Sequence, residues 1–301
     1  LDEASLPHRA GKIPKSIGKF LPPLETFDSQ LVFIYNGPMT RFWDTYSCWE
    51  EAEVAWDAAL PASTPSAAPP PMKVRGLRRK SLSWMIKKDH DGTLRKHFFR
   101  HPFRYTLRYL SSLCKRAPYH RDGDLFFYGL SSLDAFLQQV QHAHLVLGFS
   151  YCQKPMECPD KRFTSACRYD PNHPICRACP IGKAINTMPL ERVTCVVIPR
   201  VHDIARVLFD VQNDHPKHHI LFAISSCELS LSAFADFASM AGFRGVGWRL
   251  GGQVCPNFRA FQYAEEGIKR GRTGFQNPDH YFEFLRAIRS SILQARDGRE
   301  E

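Results

Sequence analysis

Between residues 192 and 271 the sequence alternates between two kinds of segment. RVTCVVIP (192–199), HHILFAISSC (218–227) and RGVGWRLGGQVC (244–255) are apolar runs of strand length. VHDIARVLFDVQND (201–214), ELSLSAFADFASMAG (228–242) and PNFRAFQYAEEGIKRG (256–271) follow them in turn, each with helical spacing of apolar residues. A further run, LVLGFSYC (145–152), reads as a buried strand ahead of the series. Strands joined by helices predict parallel pairing through right-handed crossovers. The expected fold is α/β, a Rossmann-like parallel sheet with a cysteine-rich metal loop, preceded by a mixed basic N-terminal region.

The cysteines fall on this pattern. Cys152, Cys158, Cys167, Cys176 and Cys179 lie within 28 residues, Cys227 ends the second strand of the series, and Cys255 ends the third. In an open α/β sheet the carboxyl ends of parallel strands line the crevice that binds ligands. Cys227 and Cys255 are therefore expected on one edge, with the C-x2-C pair Cys176 and Cys179 folded over it. A two-residue gap lets both thiolates point at one ion. The expected metal ligands are Cys176, Cys179, Cys227 and Cys255. Cys152, Cys158 and Cys167 either build a second site or replace one of those four. Gly251 and Gly252 are expected to let backbone N–H groups approach a cluster.

Two other uses of the pair fit less well. A dithiol motif stands directly after a strand and opens a helix, whereas this pair closes a cysteine-rich loop. Disulfides require export. Zinc ribbons show two close pairs, and only one is visible; the ferredoxin spacing C-x2-C-x2-C-x3-C is also absent. Ligands gathered from distant strand ends around glycines favour an iron–sulfur cluster, [4Fe–4S] in type, with zinc as the alternative.

The stretch SYCQKPMECPDKRFTSACRYDPNHPICRACPIGKA, followed by AISSCELS and GGQVC, resembles the domain-of-unknown-function 116 family. The resemblance spans residues 145–270. It rests on the loop cysteines, the C-x2-C with its following Ile-Gly, and the Cys-Glu after the second strand. It implies a cysteine-rich protein that binds iron–sulfur clusters through Cys152, Cys158, Cys167, Cys176, Cys179, Cys227 and Cys255. Cys255 departs furthest from the family's motif.

Three regions are expected: 1–72, ending in the Pro/Ala-rich stretch PASTPSAAPPP; a basic helical region, 73–144; and a cysteine-rich α/β metal-binding domain, 145–301. QLVFIYNG (30–37) reads as a strand and SCWEEAEVAWDAAL (47–60) as a helix. SLDAFLQQVQHAH (132–144) is a clear amphipathic helix. The chain's net charge of +10 is concentrated in one segment. Between Lys73 and Arg121 fifteen Lys or Arg stand against Asp89 and Asp91. Trp84, Phe98, Phe99, Phe103, Tyr105, Tyr109 and Tyr119 are interleaved with them, which suits single-stranded nucleic acid if the rings are free to stack. A packed aromatic face under a solvated charged one is the plainer reading. A redox or sulfur-transfer protein is the other partner class.

No run of 18 apolar residues and no export signal is visible, so no membrane span and a cytoplasmic location are expected. Walker and Gly-x-Ser-x-Gly motifs are absent. Cys195 reads as a buried core thiol, and Cys48 and Cys114 as isolated thiols. His202 reads as a helix-start surface residue. His173 reads as a loop histidine that could complete a Cys3His site with Cys152, Cys158 and Cys167.

Overall fold

The structure is a computed structural model that describes residues 46, 51, 54, 76–114, 118–269 and 271–297. The strand expected at 30–37, the helix at 47–60, the Pro/Ala-rich stretch and Cys48 lie outside the described residues. In chain order the main elements are α1 (Leu77–Lys87), α2 (Thr93–Arg100), α3 (Pro102–Cys114), β1 (His120–Asp122), β2 (Leu125–Tyr128), α4 (Leu133–Val140), β3 (His144–Ser150), α5 (Pro174–Arg177) and α6 (Pro180–Thr187). There follow β4 (Val193–Ile198), α7 (Val201–Asp214), β5 (Ile220–Cys227), α8 (Glu228–Ala241), β6 (Arg244–Gly252), α9 (Phe258–Ala264), β7 (Thr273–Gly274) and α10 (Pro278–Asp297).

The predicted strand–helix alternation forms as expected. β4, β3, β5 and β6 lie side by side in that order, all parallel. The sheet as a whole is mixed, however. β2 runs antiparallel along β6, β1 pairs antiparallel with β2, and β7 pairs antiparallel with the end of β6. The expected parallel sheet is corrected accordingly: the tight turn between β1 and β2 forces an antiparallel pair, and the strands added at this edge continue the mixed pairing.

All eight residues of β5 are buried, because helices cover both faces of the sheet. Alternate side chains separate the two cores. Val146, Phe222 and Ile224 face α7 and α8, meeting Ile204, Leu208, Phe234 and Phe237. Leu145, Leu147, Phe149, Leu221 and Ala223 face the other way, meeting Phe136 of α4, Ile181 and Ile185 of α6, and Leu285 and Ile288 of α10. The chain therefore leaves β3 towards one face and β5 towards the opposite face. Because β3 and β5 are neighbours, their carboxyl ends bracket a crevice.

The boundary expected at residue 144 runs through this sheet. β1, β2 and α4 precede it in sequence yet belong to the sheet and its core. The basic helices α1 and α3 dock on α8 through a buried carboxylate. Asp236 pairs with Arg78 Nη1 at 3.1 Å and accepts from Ser112 Oγ at 3.3 Å. Arg108 Nη1 donates to the Ala241 carbonyl at 3.0 Å. Most of the interleaved aromatics are packed: Tyr105 is buried, and Trp84, Tyr109 and Tyr119 lie against the α7/α8 core. Phe99 and Phe103 stand out, 72% and 84% exposed. Cys195, expected as a buried core thiol, is half-buried because β4 is the outermost strand of its side. No helix among the described residues is long and apolar enough to cross a membrane.

Candidate metal centre

Beyond β3 the chain makes one 3-10 turn, Tyr151–Gln153, and enters the cysteine loop. The loop is wound around a buried cation. Lys154 is 1% exposed, and its ammonium donates to the carbonyls of Lys161 and Ala166, both at 2.7 Å, and to Thr164 Oγ1 at 3.2 Å. Burying an ammonium is tolerable only when its protons are taken up in this way. Arg162 ties the loop's flank to the Lys269 carbonyl at 2.7 Å and to the Cys152 carbonyl at 3.3 Å.

The loop closes on the C-x2-C pair. Pro174 starts the single turn of α5 behind His173, whose Nδ1 accepts from the Ile175 N–H at 3.2 Å. Cys179 caps α6, and Pro180 occupies its first position, where a missing N–H costs nothing. The Cys179 N–H returns to the Cys176 carbonyl at 3.1 Å, so the pair sits on one tight turn. Gly182 is required here, because a Cβ at that position would run into the Cys176 carbonyl oxygen.

Cys158, Cys167, Cys176 and Cys179 all line one small pocket of about 10 Å³, together with Lys154, Tyr169, Ile175 and Ile181. Backbone N–H groups point at three of the sulfurs: Tyr169 at Cys167, Asp170 at Cys176, and both Ile181 and Gly182 at Cys179. Burial pushes Cys167 up to about 12 and Cys176 up to about 11, while those N–H groups pull the other way. The four thiols also lie within one another's electrostatic reach: Cys167 feels Cys158 and Cys179, and Cys176 feels the same two.

The remaining three cysteines gather elsewhere. A cavity of about 60 Å³ opens at the crevice, with Cys152 just after β3, Cys227 at the end of β5 and Cys255 just after β6 on its wall. Lys269 Nζ lies 3.6 Å from Cys255 Sγ, and Cys227 Sγ lies 3.2 Å from Ser230 Oγ. Burial pushes Cys255 up to about 12 against the pull of Lys269. Burial opposes the Lys269 ammonium in turn, but Cys152, Cys255 and Cys227 outweigh it and raise its pKa. The cavity floor is apolar, with Phe222, Ile224, Leu231 and Phe234. On its rim Glu265 accepts from the Val201 N–H at 2.8 Å, and burial raises its carboxyl to about 8.

The ligand set expected from the sequence is thus divided. Cys176 and Cys179 join Cys158 and Cys167, whereas Cys227 and Cys255 join Cys152. Among the described residues, no three Cys, His, Asp or Glu side chains close on a single metal ion as they stand. Gly251 and Gly252 pair with Gly274 and Thr273 of β7, so their backbone is engaged in a ladder. The N–H groups aimed at sulfur come from the loop and α6 instead. His173 is an α5 cap, and its expected partner Cys152 faces the other cavity, so the Cys3His grouping does not form. His202 is half-buried beside Asp203, at 3.4 Å, and burial lowers its pKa.

Lys154, Lys269 and Thr273 are the residues that the sequence did not single out. Gly182 carried a visible signal, the Ile-Gly after the C-x2-C. Lys269 fell inside a segment read as helix, but α9 ends at Ala264 and leaves Lys269 in the following loop, free to turn towards the thiols. No family model matches the chain, no curated protein matches it, and no solved structure matches it.

Proposed function

We propose that the chain is a cysteine-ligated metalloprotein whose metal is held by Cys158, Cys167, Cys176 and Cys179. The observation that carries this reading is the convergence of all four loop thiols on one pocket, with backbone N–H groups aimed at three of their sulfurs. Such contacts stabilise thiolate over thiol and tune thiolate-bound metals. Lys154 supplies a fixed positive charge on the same wall, which offsets the negative charge of four thiolates around a dication.

In this reading the centre is an iron–sulfur cluster of the [4Fe–4S] type, with zinc as the alternative. The resemblance of the loop to the domain-of-unknown-function 116 family agrees with this reading. The site then serves electron transfer, sulfur chemistry or a partner enzyme. Cluster ligation would be the work of the four cysteines, while Lys154, Gly182 and the loop N–H groups hold those ligands in place.

Anaerobic purification followed by iron, sulfide and zinc analysis tests the proposal. Brown protein containing iron and sulfide is expected, and single Ser substitutions at Cys158, Cys167, Cys176 or Cys179 should each remove that centre. Colourless protein with stoichiometric zinc, lost in the same variants, would keep the site and replace the cluster. Wild-type protein that stays metal-free after reconstitution would end the proposal.

A further inference from the structure

The cavity at the crevice has no part in the loop pocket. It opens where β3 and β5 send the chain towards opposite faces, the place at which open α/β sheets take up ligands. Cys152, Cys227 and Cys255 border it, but among the described residues no three such groups close on one ion. Two observations on the segment beyond α9 set the place apart from ordinary packing. The half-buried Lys269 has a sulfur as the partner of its ammonium, Cys255 Sγ at 3.6 Å, which is a weak acceptor. Among the described residues no carboxylate lies within 4.0 Å of that ammonium. Thr273 is 2% exposed and its backbone is fixed in the ladder opposite Gly252, yet its buried hydroxyl oxygen has no hydrogen-bond partner. An unpartnered buried hydroxyl is costly and is retained where something else takes up the bond. Both side chains line the cavity, together with its apolar floor.

We propose that this cavity binds a small carboxylic acid with an apolar body, its carboxylate held by Lys269 and Thr273 and its body laid against Phe222, Ile224, Leu231 and Phe234. One ammonium and one hydroxyl suit the single charge and two oxygens of a carboxylate, and charge-assisted hydrogen bonds are the strong ones. The volume of about 60 Å³ holds about four to six waters, the space of a short acyl chain or a single ring. An apolar concavity with a few convergent polar groups is the general form of a small-molecule site. The other charged side chains on the wall do not oppose an anion. Arg200 is a second cation. Glu265 accepts from the Val201 N–H and stays largely protonated at neutral pH, because burial raises its carboxyl to about 8. The inference does not rest on the loop's metal, and it is read by binding rather than by metal content.

Titration calorimetry of the full-length protein with hexanoate, benzoate, acetate and hexanol tests the cavity. Hexanoate and benzoate should each bind at least about tenfold more tightly than acetate, which has too small a body for the apolar floor. Hexanoate should also bind at least about tenfold more tightly than hexanol, which lacks the charge. Lys269→Met should remove that second advantage and leave hexanol unchanged. Thr273→Val keeps the volume and should weaken hexanoate severalfold. Because a variant can fold poorly, the wild type is also mapped directly. Hexanoate should slow alkylation of Cys227 and Cys255 and leave that of Cys158 unchanged. No binding of either larger acid at millimolar concentration, hexanoate no tighter than hexanol, full affinity in Lys269→Met, or cavity thiols alkylated at one rate with and without hexanoate would overturn the cavity site. Hexanoate binding that is lost in Cys176→Ser and kept in Lys269→Met would move the acid to the loop and overturn it as well. The metal content of the loop variants decides the preceding proposal separately.

Discussion

At Gly182 the chemistry of the loop reduces to one missing methyl group. α6 begins so close to the C-x2-C turn that a Cβ there meets the Cys176 carbonyl oxygen, which is backbone and has little room to give. Gly182 also supplies one of the N–H groups aimed at Cys179. Gly182→Ala should therefore cost about 1–3 kcal/mol, the usual range for overpacking, despite the better helix propensity of alanine. The damage should concentrate at the cysteine pair. Metal content should fall while far-UV circular dichroism stays unchanged. A variant with full metal content and unaltered thermal stability would show that the turn can open without consequence.

The loop as an element hangs on Lys154 in the same way that the pair hangs on Gly182. Its ammonium satisfies carbonyls from Lys161 and Ala166 and the Thr164 hydroxyl, which no apolar side chain can do. Lys154→Met keeps most of the volume and leaves these acceptors unpaired, at about 1–3 kcal/mol for each that stays buried. Limited proteolysis should then cut between residues 155 and 175, and Cys158 and Cys167 should alkylate faster, while the sheet resists as before. Uniform resistance in the variant would place the loop's order elsewhere. This dependence explains what the sequence could and could not tell. The strand end at Cys227 was legible from its apolar run and the C-x2-C from its spacing, whereas the third strand stops at Gly252 and leaves Cys255 in the loop beyond it. The division of seven cysteines into four and three was not legible, because it depends on how an irregular loop folds over a buried lysine, and no periodicity encodes that. Likewise the antiparallel β1 and β2 were hidden in a segment dominated by charge, where short strands carry little pattern.

Across the whole molecule two titratable groups, buried His144 and half-buried Glu265, pull stability in opposite directions with pH. His144, at the start of β3, stacks on His215 at a ring distance of 4.0 Å and shares a hydrogen bond with Thr194 Oγ1 at 2.8 Å. Burial, and then His215, hold its pKa at about 4 against an ordinary 6.5. Its neutral form is the folded one, so its contribution is present above pH 6.5 and is lost as pH falls towards 4. Glu265 behaves oppositely. Burial raises it from 4.5 to about 8, so the folded chain holds a proton that the unfolded chain has released. Its contribution is complete below pH 4.5 and declines as pH rises to 8. Between 6.5 and 8 only Glu265 of these two is still changing. Glu265→Gln keeps an oxygen to accept the Val201 N–H but cannot ionise. Denaturant midpoints for wild type and variant should therefore draw apart from pH 4.5 to pH 8, at no more than about 1.4 kcal/mol per pH unit, and run parallel above. The variant should be the more stable protein at pH 8. Parallel curves over the whole range would mean that the carboxyl titrates alike in folded and unfolded chains, and that the rim of the cavity is open to water.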